Sequence, residues 1–182
     1  MSTPVLVGIG SNQNREACLQ AALDALADWF GELALSPVYE SPAVGFDGSP
    51  FLNMVAGFNT AMPLAELSRR FKKLETDHGR VRGSTRFAAR TLDIDILTYG
   101  DQVGVFCGVE LPRAEILVNA FVLKPLADVA GSRLHPQCGQ SYQDLWQLHR
   151  AGPPLHKINF SWRGGIISNA VGCSKASDQG IG

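Results

Sequence analysis

The chain has little that would commit it to a membrane, an oxidising compartment or a nucleic acid. No apolar run approaches the ~20 residues that a bilayer-spanning helix needs. The start, MSTPVLVGIG, lacks the basic head of a signal peptide, so the expected location is the cytoplasm. Only four cysteines occur (Cys18, Cys107, Cys138 and Cys173), with no Cys-x-x-Cys pair among them. That scatter argues against structural zinc or a disulfide framework and leaves reduced thiols. Net charge is −1, so no global field draws the chain to a polyanion. Neither a linker nor an internal repeat divides it, and 182 residues are enough for one substantial core. The expected organisation is a domain over residues 1–163 and a small, polar, flexible tail over 164–182.

What the chain does have is concentrated in GRVRGSTRFAARTLDIDILTYG, residues 79–100. Arg80, Arg82, Arg86 and Arg90 come with no acidic residue between them, and Asp93 and Asp95 follow directly. Arginine forks grip phosphate oxygens in pairs, while carboxylates hold the divalent ions that shield the remaining charge. On a strand, Asp93 and Asp95 emerge on one face about 7 Å apart at Cα, a spacing that can share magnesium. Each half has a plain alternative. Asp-x-Asp also marks the solvent face of a half-buried strand, and arginines after a helix also complement its dipole. Joined in one short stretch, the two halves point to a site for Mg-ATP.

Periodicity supplies the frame. VLVGIG (5–10) reads as a strand ended by the turn and cap signal Gly10-Ser11-Asn12. Leu19, Leu23, Leu26 and Phe30 are spaced as one face of a helix stopping before Gly31. Strands are expected over 33–41 and 51–59, then a helix after Pro63 with Leu64, Leu67, Phe71 and Leu74 buried and Gly79 as its stop. The strand over 91–99 turns Leu92, Ile94 and Ile96 to one side. The order βαββαβ predicts an α+β, ferredoxin-like core, an antiparallel sheet with both helices on one face. Short helices are expected over 120–130, interrupted or started near Pro125, and over 141–150. His135 and His149 lack partners at metal spacing and read as surface residues. Phe51, Phe87 and Phe121 can stack on a flat heterocycle, and Asn53, inside an apolar strand, offers amide groups to its edge. Each phenylalanine alone reads better as ordinary core.

Four segments carry a resemblance: VGIGSNQN, SPVYESPAVGFDGSPFLNMV, LETDHGRVRGSTRFAARTLDIDIL and FVLKPLADV. Over residues 5 to 130 the chain resembles the 6-hydroxymethyl-7,8-dihydropterin pyrophosphokinases of folate biosynthesis. The resemblance implies pyrophosphate transfer from ATP to the pterin hydroxymethyl group, with release of AMP and two Mg2+ ions held by Asp93 and Asp95. It implies Glu75, Arg82, Arg90 and Arg113 at the nucleotide, and Arg80, with Arg82 and Arg90, in catalysis. It places Ser41, Pro42, Val44, Phe51, Asn53, Phe87 and Phe121 at the pterin. ATP and the pterin are the implied partners, acting on a monomer with no role for membrane or nucleic acid. Three positions depart from the family pattern: Phe87 stands where a tryptophan is usual, Arg113 where a histidine is usual and Asn119 where an arginine is usual. The departures leave two expectations open, an active pyrophosphokinase or a divergent paralogue that binds ATP or a pterin with weak or altered catalysis.

Overall fold

Residues 1–43, 48–78, 92–150 and 152–170 are described by a computed structural model. The first half runs β1 (Thr3–Ser11), α1 (Arg15–Phe30), β2 (Ala34–Leu35), β3 (Tyr39–Ser41), β4 (Phe51–Thr60), α2 (Leu64–Asp77) and β5 (Asp93–Tyr99). There follow β6 (Gly104–Phe106), β7 (Val109–Leu111), a 3-10 turn (Ala114–Leu117), α3 (Ala120–Ala130) and α4 (Tyr142–Leu148). The last described elements are β8 (His156–Lys157), β9 (Phe160–Trp162) and β10 (Gly165–Ser168).

The main sheet is antiparallel in the order β5-β1-β4-β3-β8, with β2 also on β4. Its first four positions are the ferredoxin-like arrangement that the element order predicts. Alternation along β1 divides the sheet into two faces. Val5, Val7 and Ile9 join Leu19, Leu23 and Leu26 of α1 and Leu67 and Phe71 of α2 in one core, with Leu92, Ile94 and Ile96 beside them. Leu6, Val55 and Leu97 face the other way and pack with Leu123, Leu126 and Ala127 of α3 and with Tyr142. The result is a sandwich of three layers, because α3 covers the face that α1 and α2 leave.

Several expectations shift in register. The strand read as 33–41 is two short pieces, because Pro37 has no N–H for the ladder. Ser36, fully buried, bridges the gap: its Oγ accepts the Val55 N–H at 2.8 Å. The first helix begins at Arg15 rather than beside Asn12, since β1 extends through Ser11 and Asn14 takes the cap position at φ 47°. Pro125 lies inside a continuous α3; burial against Leu6 and Val55 outweighs the one hydrogen bond that proline omits. His135 is not a surface residue but 1% exposed, its Nδ1 accepting the N–H groups of Gln137 and Cys138. Desolvation holds its pKa below the usual histidine value. Within the stretch expected as a tail, Gly165–Ser168 pairs with β9. Its Ser168 Oγ donates to Ile158 O and accepts from Val38 N, which ties this hairpin to the start of β3. Gly79, the expected stop of the second helix, is outside the described residues.

Among the described residues no helix is long and apolar enough to cross a membrane. The two cores make matched demands on stability. Leu19 and Leu126 are both fully buried, on opposite faces of the sheet. Leu19→Ala and Leu126→Ala are each expected to cost about 2–5 kcal/mol in urea unfolding. A cost under about 1 kcal/mol for Leu126→Ala would show that α3 is an appendage and not a structural layer.

Candidate active site

The register of β1 lays out a site on the face that α3 shares. Gly10 pairs with Asp93 on one side and Asn53 on the other, and Asn53 pairs with Tyr39. Gly8 pairs with Asp95 and Val55. Paired residues in an antiparallel sheet share a face, so both aspartates stand on the same side as Asn53, Phe51 and Val55. Between them the central strand presents only glycine. A Cβ on Gly10 would sit 3.3 Å from Asn53 Oδ1, 3.7 Å from Leu52 O and 3.9 Å from the Phe51 ring. Leu97 lies 3.6 Å from a Cβ at Gly8, so the bare strip of backbone is centred on Gly10, about two strand spacings or ~10 Å from Asp93 to Asn53. A flat ring can lie there in contact with the sheet.

At the pterin end expected from sequence, Asn53 is 9% exposed, and its Nδ2 donates to Ser41 Oγ at 2.8 Å. That bond fixes the amide and turns Oδ1 toward Gly10. Phe51 is half-buried beside it, Pro42 is exposed, and Phe121 lies in the first turn of α3, half-buried against the second core. Tyr39, two residues from Ser41, donates its hydroxyl to Asp128 of α3, and burial raises its pKa further. This clamp sets α3, and with it Phe121, against the strand that carries Ser41.

At the other end, β5 is an edge strand, and α2 secures it. Glu75 is 4% exposed, and its Oε1 accepts the Ile94 N–H at 2.8 Å, between the two aspartates. The turn at Cys107 and Gly108, with φ of 52° and 75°, sends β7 back beside β5. Arg113 follows, its N–H donating to Leu97 O at 2.9 Å and its guanidinium 3.2 Å from Asp95 Oδ1. Together Glu75, Asp93, Asp95 and Arg113 border a cavity of about 290 Å³ that Ser68 and Lys72 also line. Asn119 is the N-cap residue of α3. The sequence-predicted site residues Val44, Arg80, Arg82, Phe87 and Arg90, with Arg86, lie outside the described residues.

Asp95 is the electrostatic centre. Burial, then the charge of Asp93, pushes its carboxyl up to about 7; Arg113 opposes the rise, and Glu115 and Glu75 add to it. Carboxylates so crowded are relieved by a cation. Among the described residues no three His, Cys, Asp or Glu side chains are arranged to hold a metal unaided. Two carboxylates from one strand suit magnesium, which keeps several waters and takes further oxygens from phosphate. Sequence reasoning missed the glycine strip, Lys72 and the Tyr39–Asp128 clamp. The pattern Gly8-x-Gly10 pairs with an alternating apolar strand, and a trough in that strand was the available signal.

A sequence model of the family described as 7,8-dihydro-6-hydroxymethylpterin-pyrophosphokinase (HPPK) matches residues 6–131. The chain is 39% identical over 132 residues to the 2-amino-4-hydroxy-6-hydroxymethyldihydropteridine pyrophosphokinase of Pseudomonas aeruginosa, covering 69% of this chain and 80% of that one. It is 32% identical over 134 residues to the protein of the same name from Aquifex aeolicus, covering 72% and 83%. Among solved structures it is similar to wild-type HPPK-DHPS of Plasmodium falciparum with pteroate. The TM-score is 0.61 at 13% identity, over 81% of this chain and 42% of the other. That likeness concerns the fold, and the chain spans less than half the length of that protein.

The raised carboxyl has a measurable consequence. An Asp in the unfolded chain titrates near ~3.9, so folding takes up a proton between about pH 4 and 7. Metal-free protein therefore loses stability as pH rises through that window. Asp95→Asn is expected to stabilise the metal-free protein at pH 8 in EDTA by about 1–3 kcal/mol, read as a higher melting temperature, with the gain shrinking toward pH 4. A gain that does not depend on pH would contradict this electrostatic account.

Proposed function

The chain belongs to the 7,8-dihydro-6-hydroxymethylpterin-pyrophosphokinase family, and from this premise we infer that it transfers pyrophosphate from ATP to 6-hydroxymethyl-7,8-dihydropterin, a step of folate biosynthesis. The hydroxymethyl oxygen bonds to the β-phosphorus and gives its proton to solvent, the bond from the β-phosphorus to the α,β-bridging oxygen breaks, and AMP leaves with that oxygen. The family membership carries this reading, and the bare glycine strip between a carboxylate pair and a fixed amide agrees with it.

In this reading the pterin lies on the strip. Asn53, held by Ser41, meets its polar edge, while Phe51, Phe121 and Phe87 take its faces, with Pro42 and Val44 closing the rim. Asp93 and Asp95 hold Mg2+, in two ions, and bound magnesium neutralises phosphate charge at the transferring group. Glu75 borders the nucleotide cavity and, by taking the Ile94 N–H, also fixes the strand from which both aspartates project. Arg80, Arg82, Arg90 and Arg113 grip phosphate oxygens, and Lys72 adds a charge at the same cavity. Transfer of this kind asks for alignment and charge compensation more than for covalent help, which is what a rigid strand and a set of forks supply. One folded unit extending through Ser168 carries both ends of the site. No observation favours the alternative of a binding-only paralogue.

Purified protein with Mg-ATP and the hydroxymethyl dihydropterin is expected to form AMP and pterin diphosphate in equal amounts. Asp95→Ala is expected to lower kcat on the order of 10²–10³-fold. Absence of AMP from well-folded wild-type protein would sink the reading. The strip has its own test. Gly10→Ala places a methyl 3.3 Å from Asn53 Oδ1, a contact that moves the amide but not the strand. It is expected to raise KM for the pterin about 10–200-fold while the melting temperature and KM for ATP hold. An unchanged pterin KM would remove the ring from the strip.

A further inference from the structure

Arg113 is the residue whose position the reaction does not explain. A group that serves the nucleotide should point to where phosphates arrive, yet its fork is spent on a metal-site carboxylate. Nη2 is 3.2 Å from Asp95 Oδ1 and 3.9 Å from Glu115 Oε1, which lies two residues further on. The hold is built in two parts. The backbone is fixed by the Arg113 N–H to Leu97 O, two residues along β5 from Asp95, so the side chain reaches back along the strand to its partner. The side chains themselves remain partly open to water, 32% exposed for Arg113 and 27% for Asp95. A long side chain on a fixed root, in a partly hydrated pair, can leave its partner at modest cost.

A divalent ion and a guanidinium compete for Asp95. Each draws on the same negative charge, and two cations on one carboxylate repel each other. Arginine differs here from a residue that can shed its proton, because its charge is permanent. Tight binding of Mg2+ therefore favours a fork turned away from Asp95, which leaves it only the long contact to Glu115 in the cavity it shares with Asp93 and Lys72. A polyphosphate arriving with the ion offers that fork a bidentate partner. An ion arriving alone offers it nothing.

We propose that Arg113 gates the metal site, holding Asp95 as an internal counter-cation and yielding it only when a polyphosphate brings the divalent ion and takes the guanidinium. The proposal rests on the assignment of Asp93 and Asp95 to the metal. Its consequence is coupling between ion and nucleotide: the bare ion binds weakly and the ion-nucleotide complex strongly. The enzyme then avoids being occupied by free Mg2+ without substrate.

The test is Mn2+ binding, read from the electron paramagnetic resonance signal of the unbound ion, with and without the non-transferring analogue α,β-methylene-ATP. The proteins are wild type, Arg113→Gln and Asp95→Asn, with Arg113→Ala beside them in case the glutamine variant melts early. Without nucleotide, Arg113→Gln is expected to bind Mn2+ about tenfold more tightly than wild type, the size expected for removing one partly hydrated charge beside a divalent ion. With the analogue it is expected to bind about tenfold less tightly, since the phosphate loses a charged partner. Asp95→Asn is expected to weaken Mn2+ binding in both conditions. If both Arg113 variants match wild type without nucleotide while Asp95→Asn weakens binding, the gate is overturned and the metal assignment stands. If Asp95→Asn leaves Mn2+ affinity unchanged, the metal assignment fails and the gate falls with it.

Discussion

The double pairing of β1 is the constraint from which the site follows. One strand is hydrogen-bonded to β5 on one side and to β4 on the other, and its side chains alternate strictly between two faces. Val5, Val7 and Ile9 are drawn to the α1 and α2 side by burial. That choice leaves Gly8 and Gly10 on the opposite side, level with the aspartates of β5 and with Asn53 and Val55 of β4. A slip of one residue would bury the carboxylates and expose the apolar set. The β1–β5 register shifts between Leu6 and Val7, and from Val7 to Gly10 one register holds both the hydrophobic core and the functional face.

The surrounding elements support that face in different ways. Glu75 reaches from α2 to the edge of β5 and keeps it straight where, among the described residues, no further strand pairs with it. Asp128 of α3 takes the Tyr39 hydroxyl and so aligns the helix that begins with Phe121. The hairpin of β9 and β10 packs on α1 through Trp162 and Arg163, both bonded to Asp24, and closes the edge beyond β3 through Ser168. None of these contacts touches a substrate in the proposed reading. Each removes a degree of freedom from a residue that does.

Legibility in the sequence followed from how strongly each element repeats. α1 and α2 were readable because burial on one face imposes a period, β1 and β4 because they are apolar runs bounded by turn residues, and Asp93-Ile94-Asp95 because two carboxylates on a strand interrupt an apolar pattern visibly. The resemblance to the pterin pyrophosphokinases was likewise legible, and membership of that family bears it out. The short strands near Pro37 and after residue 155 were not, since two- to four-residue pieces are too brief to show alternation. His135 was misread as a surface residue because its partners are backbone N–H groups, which leave no mark in a sequence. The glycine strip was missed for a related reason: its function lies in side chains that are absent. Arg113 was identified, but its partner was not, because pairing with Asp95 depends on the turn at Cys107 and Gly108 bringing the chain back to β5.

In the proposed complex the pterin lies across Gly10 with its hydroxymethyl group toward the aspartates. Nuclear relaxation of the bound pterin's protons by Mn2+, with α,β-methylene-ATP present, measures this arrangement directly. The account expects the hydroxymethyl protons to relax fastest and the far edge of the ring, about 10 Å from Asp93, markedly slower. Equal relaxation across the ring, or the steepest effect at the edge that should meet Asn53, would contradict it.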